Sequence, residues 1–151
     1  MNQDFKDLLS QLNAVNARYL IVGAHALAAH GHVRATKDLD IWTEPSEHNA
    51  KLVFQALAGF GAPLKGVSVE DFMDPLIVFQ MGVAPIRIDI VAAIDGVDFN
   101  EAWARRMDIE VGGETVHVLS REDVITNKLS TGRLQDLADV DALQRLSDPD
   151  A

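Results

Sequence analysis

The chain contains no cysteine, which excludes disulfide frameworks, zinc ribbons and thiol catalysis together. It is also short of positive charge. Against 23 Asp and Glu stand 13 Lys and Arg, a formal charge of −10, and such a surface repels polyanions, so broad nucleic-acid binding through a basic face is disfavoured. Long apolar runs are missing too. The longest, Tyr19 to Ala29, is interrupted by Gly23 and His25 and falls well short of the ~20 residues a membrane span needs. The N-terminus, MNQDFKDLLSQLNAV, has no basic stretch leading into an apolar core, so no export signal is expected. No repeat, linker or low-complexity segment breaks the chain. What remains is 151 residues, 48% hydrophobic and 24% charged, the composition of an ordinary soluble, cytoplasmic domain. A single domain over residues 1–151 is expected.

Periodicity supplies the elements. Phe5, Leu8, Leu9, Leu12 and Val15 recur at helical spacing, and Tyr19-Leu-Ile-Val22 reads as a buried strand closed by Gly23. Ala24 to His30 favours helix, Leu39 to Thr43 a second strand, and Ser46 caps a helix ending near Gly59 and Gly61. Leu76 to Phe79 and Ile86 to Val91 suit an antiparallel hairpin. Phe99 to Arg106 reads as a short helix, and Gly112-Gly113 joins a second hairpin, Met107 to Val111 and Glu114 to Leu119. Ser120 with Asp123 opens a helix toward Gly132, and Leu134, Leu137, Val140, Leu143 and Leu146 mark a last one. Two hairpins among helices predict an α+β (mixed α/β) fold: a small mixed, largely antiparallel sheet flanked by helices.

Three aspartates stand where strands seldom carry them. Asp38 and Asp40 straddle Leu39, so both carboxylates share one face of the strand. At ~3.3 Å per residue their attachment points lie about 6–7 Å apart, and the two repel unless a cation sits between them. Oxygen ligands on a rigid element suit Mg²⁺. Asp89 repeats the pattern in Ile86-Arg-Ile-Asp-Ile-Val91, where the three isoleucines take one face and Arg87, Asp89 and Val91 the other. Asp89 is then either a solvent-facing edge residue or, if its strand lies beside that of Asp38 and Asp40, the third ligand or general base of a metal site.

Gly23-Ala24, then Asp38-Leu-Asp40, then Asp89 in an apolar strand, resemble the signature of the polymerase-beta-like nucleotidyltransferase superfamily. Arg34-x-Thr36-x-Asp38-x-Asp40 is similar to its minimal, abortive-infection (AbiEii-like) branch, as is the run from Leu119 to Lys128 with Arg133, Asp136 and Asp139. The resemblance extends from Tyr19 to Leu143. It implies a nucleotidyltransferase-like fold and an enzyme that transfers an NMP from a bound NTP, as its Mg²⁺ (or Mn²⁺) complex, to a hydroxyl or phosphate of RNA, protein or a small molecule, releasing pyrophosphate. Asp38, Asp40 and Asp89 would be its catalytic and metal-binding acids. Gly23 and Ala24 would bring backbone amides to the triphosphate. The departure is Ala24, where many active members carry Ser or Gly. A degenerate nucleotide-binding or partner-binding module, or one component of a toxin–antitoxin pair, is the alternative.

Arg34 and Lys37 precede the acids and either neutralise the triphosphate or balance nearby carboxylates; Lys128 can reach the phosphates, and Thr36 completes the motif. Arg133 and Asp136 read as an ion pair between the last helices. His25, His30 and His32 match no zinc spacing. Trp42 and Trp103 are expected as core or interface anchors, and Glu70, Asp71 and Asp74 as a solvated acidic loop. So short a chain leaves little room for an acceptor domain, so a homodimer or partner protein is expected to supply one. A tRNA end entering a local basic patch stays open as acceptor.

Overall fold

The expected apolar stripe becomes α1 (Gln3–Ala14), whose Phe5, Leu8, Leu9 and Leu12 are buried and whose first turn is capped by the Asn2 side chain. A computed structural model describes residues 1–34, 38–82 and 86–147. After α1 come β1 (Tyr19–Val22), α2 (Gly23–Ala29), β2 (Asp38–Thr43) and α3 (Glu47–Phe60). Ser46 accepts a hydrogen bond from the Asn49 N–H to open α3, and Gly61 closes it in the left-handed conformation at φ 91°. The second half holds β3 (Val78–Met81), β4 (Arg87–Val91), α4 (Phe99–Arg105), β5 (Met107–Val111), β6 (Glu114–Val118), α5 (Arg121–Thr131) and α6 (Leu134–Ser147).

The six strands form one sheet in the order β3-β4-β2-β1-β6-β5. Three neighbouring pairs are antiparallel and two, β2 with β4 and β1 with β6, are parallel. β3 with β4 and β5 with β6 pair antiparallel as expected of the two hairpins, and parallel pairing enters where β4 and β6 return to the middle of the sheet after connections that include helical segments. Leu8, Leu9, Leu12, Leu20, Ile21, Leu39, Ile41, Leu57 and Ile90 are fully buried in the main core. α1 packs on α3, α5 on α6, and α2 lies against β1, β2 and α5. Among the described residues no helix is long and apolar enough to cross a membrane.

Three local expectations are corrected. The strand expected from Leu76 starts at Val78, because the Asp74 carboxylate accepts from the Leu76 N–H at 2.9 Å and turns the chain there. Leu76 is left 90% exposed. Ile86 precedes β4 and is exposed, so Ile88 and Ile90 alone carry the buried face. The acidic segment is a short 3₁₀ turn, Val69–Met73, closed by a reciprocal Ser68–Asp71 cap and pinned by buried Phe72.

Candidate active site

Parallel pairing of β2 with β4 sets Asp38 opposite Arg87 and Asp40 opposite Asp89. Side chains alternate along both strands, so these four groups occupy one face as the corners of a square. Leu39, Ile41, Ile88 and Ile90 hold the other face in the core, none more than 4% exposed. The apolar side therefore fixes the register that brings the acids together, since a one-residue slip would send them into the core. Asp40 also pairs with Val22 across to β1, which places Gly23 at its side. Gly23 has φ +67°, and a Cβ there would collide with the Asp40 carboxylate. Glycine is required at this corner by both its backbone and its neighbour.

The square carries more negative charge than it compensates. Like charges opposite each other on adjacent strands are destabilising. Burial, then the Asp89 and Asp38 carboxylates, push the Asp40 pKa up to about 6 against the pull of Arg87 and Lys128. Asp89 is 8% exposed. Arg87 bridges two corners: one guanidinium nitrogen lies 3.2 Å from Asp38 Oδ2 and donates to Asp89 Oδ2 at 3.2 Å, and its Nε lies 3.1 Å from Asp89 Oδ1. That last contact is close but misaligned: among the described residues neither Arg87 Nε nor Asp89 Oδ1 has a hydrogen-bond partner. A buried carboxylate oxygen left without one, beside two further carboxylates, is a donor set that fits a hard divalent cation. As placed, no group of three His, Asp or Glu side chains among the described residues could hold a metal ion. Asp38 and Asp89 turn instead toward Arg87.

Two of the other expected residues lie in a different cluster. Lys128, on α5, is 3.2 Å from Asp136 Oδ1 and 3.4 Å from Asp139 Oδ2, and Arg34 reaches Asp139 at 2.6 Å. Arg133 joins Asp136 at 2.8 Å, the ion pair its spacing predicts. Lys128 is close enough to Asp40 to draw its pKa down, so it stands between the two clusters. Ala24 follows Gly23 in the first turn of α2, where backbone N–H groups lack helical acceptors. Thr36 and Lys37 lie outside the described residues. The histidines stay apart: His25 packs edge-on to Phe5, His30 meets the Leu119 carbonyl at 2.7 Å, and His32 faces Asp139. Trp42 is buried against Phe99. A cleft of about 420 Å³ beside Trp42, lined by Glu44, Ala92 and Asp98 among others, contains none of the three acids.

Sequence reading passed over Arg87, although it shares Asp89's face by the same alternation. It also passed over Asp139 as the partner of Arg34, a contact across 105 positions with no local signal.

A family model for "Nucleotidyltransferase of unknown function (DUF6036)" matches residues 1–148. The chain belongs to that family. Among solved structures it is similar to that of a "putative nucleotidyltransferase" from Thermotoga maritima, with a TM-score of 0.56 and 15% identity over 94% of this chain and 89% of the other. At that identity the likeness shows a shared nucleotidyltransferase fold. No curated protein matches the sequence.

Proposed function

We propose that this family member transfers an NMP unit from an NTP to an acceptor hydroxyl or phosphate, with Asp38, Asp40 and Asp89 as its divalent-cation ligands. The observation that carries the reading is the square on β2 and β4, where half-buried Asp40 is held against Asp89. Bound there, Mg²⁺ supplies charge neutralisation for the triphosphate and the developing negative oxygens. The protein's own part is positioning. Gly23 keeps the backbone low beside Asp40, the first turn of α2 offers amides including that of Ala24, and Lys128 contributes positive charge from α5. The acceptor oxygen attacks the α-phosphorus, forming one P–O bond as the bond to the β-phosphate's bridging oxygen breaks. Pyrophosphate leaves, and for a hydroxyl acceptor Asp89 takes the proton.

The Arg34-x-Thr36-x-Asp38-x-Asp40 pattern supports the AbiEii-like branch; the same reading has the enzyme act in the cytoplasm, with an acceptor site completed by a second copy or a partner protein. A charge of −10 favours a small acceptor or a tRNA end over long nucleic acid. Ala24 supports one other reading, a module that keeps the nucleotide but not the transfer.

Thermal unfolding with each NTP, with and without Mg²⁺, tests the site. Free ligand at 100 times its dissociation constant adds about 2.7 kcal/mol, several degrees at this size. The wild type should show a Mg²⁺-dependent shift that Asp38→Ala/Asp40→Ala loses. No shift with any NTP, followed by a silent direct titration, removes the reading. A shift without pyrophosphate release across an acceptor panel favours the binding module.

A further inference from the structure

Arg87 stands at the fourth corner of the acidic square, and its bonding is looser than that of the two arginines in the neighbouring cluster. Its contacts with Asp38 and Asp89 are 3.1–3.2 Å, one of them misaligned, whereas charge-assisted bonds in good geometry run nearer 2.7–2.9 Å. Arg34 holds Asp139 at 2.6 Å and Arg133 holds Asp136 at 2.8 Å. Lys128 is enclosed, its side chain 14% exposed and shared between two buried aspartates. The Arg87 side chain is 41% exposed.

Physical necessity gives this cation a task. Asp89 is buried, and a buried carboxylate without a countercharge is strongly destabilising. A facing positive charge relieves that cost, and Arg87 supplies one. The same contacts turn Asp38 and Asp89 away from a common centre with Asp40. Both conditions are met if one cation yields to another.

We propose that Arg87 is a displaceable internal counter-ion, and so a specificity-determining residue of this site. It neutralises Asp38 and Asp89 in the empty protein, gives way when a divalent cation enters with the nucleotide, and then turns its planar guanidinium to the triphosphate oxygens. The inference rests on the nucleotidyltransferase reading above. It makes metal loading depend on the nucleotide: metal alone must expel Arg87 into water, while the metal–nucleotide complex offers the freed guanidinium a phosphate.

The test is Mn²⁺ binding by electron paramagnetic resonance, without nucleotide, to wild type, Arg87→Met and Arg87→Lys. Removing the competing charge should tighten Mn²⁺ binding by about tenfold or more in Arg87→Met. Arg87→Lys should stay near wild type, and Arg87→Met should need more NTP to saturate in the presence of Mn²⁺. Equal or weaker Mn²⁺ binding by Arg87→Met overturns the inference and leaves the nucleotidyltransferase reading standing. No Mn²⁺ binding by any of the three proteins, with or without NTP, overturns both. Should Arg87→Met not fold, the Arg87 Nε–H resonance of the wild type decides, identified by its loss in Arg87→Lys. It should move on adding Mg²⁺ and NTP together, and an unmoved resonance at saturation removes the proposal.

Discussion

On α6, Asp136 and Asp139 are 1% and 0% exposed, and each of their four carboxylate oxygens is engaged. Asp136 is met by Lys128, Thr131 and Arg133, and Asp139 by Arg34, Lys128, Gln135 and His32. On β2 and β4, Asp40 and Asp89 face each other with Arg87 beside them as countercharge, and the buried Asp89 Oδ1 has no hydrogen-bond partner among the described residues. Burial opposes ionisation in both places. At Asp136, hydrogen bonds from Thr131, Arg133 and Lys128 outweigh it and hold the carboxyl well below the usual range; at Asp40, neighbouring carboxylates add to it. Burial of an acid is therefore no sign of function by itself. An acid whose partners are complete ties elements together, here α5, α6 and the segment before β2. An acid left in deficit is what the proposed ligand site rests on.

The largest effect expected from this contrast is on stability. Asp139→Asn keeps the shape but strips Arg34 and Lys128 of their shared countercharge. Breaking a buried ionic set of this kind costs about 3–5 kcal/mol, a fall in Tm of roughly 10 °C for a chain of this length. Urea and thermal unfolding check it, and a loss under about 1 kcal/mol would dissolve the distinction between the clusters.

Gly23→Ala comes next. It forces an L side chain to φ +67° and into the Asp40 carboxylate, a strain of about 1–3 kcal/mol. The damage should be local: the nucleotide-induced thermal shift should vanish at a temperature where the variant is still folded. A variant that unfolds early but retains the shift would show that Gly23 serves the turn and not the site.

How far these clusters were legible in the sequence follows from the range of the forces that build them. Alternation in Asp38-Leu-Asp40 and Arg87-Ile-Asp89 is local, so the shared faces could be read directly, as could the caps at Ser46 and Ser120 and the turn at Gly112-Gly113. The adjacency of β2 and β4 could not. It depends on which buried faces match across the chain, and only the family resemblance suggested it. Arg34 could be read as a phosphate ligand or as balancing nearby carboxylates, but not as the partner of Asp139, which lies 105 positions away with no local pattern to announce the pair. Leu76 misled because apolar periodicity cannot show that an aspartate two positions earlier will capture its N–H.

The smallest and most discriminating effect is the response to pH. Asp40 has a folded pKa of about 6 against an ordinary 3.8. Between those values the folded state binds more protons than the unfolded one, so Asp40 lowers stability as pH rises from about 4 to 6 and adds no further slope above. Asp136 and Asp139 act with the opposite sign. Their pKa values are lowered in the folded state, so their contribution is complete above about 4 and is lost as pH falls below it. Stability should therefore pass through a maximum near the ordinary aspartate pKa as far as these groups govern it. Asp40→Asn should flatten the decline toward pH 6 while leaving the acid limb in place, and at neutral pH it should match or exceed the wild type. Asp139→Asn should weaken the acid limb and spare the decline. If both substitutions altered the same limb, the two clusters would be one coupled network through Lys128, and the assignment of one to structure and the other to ligand would have to be withdrawn.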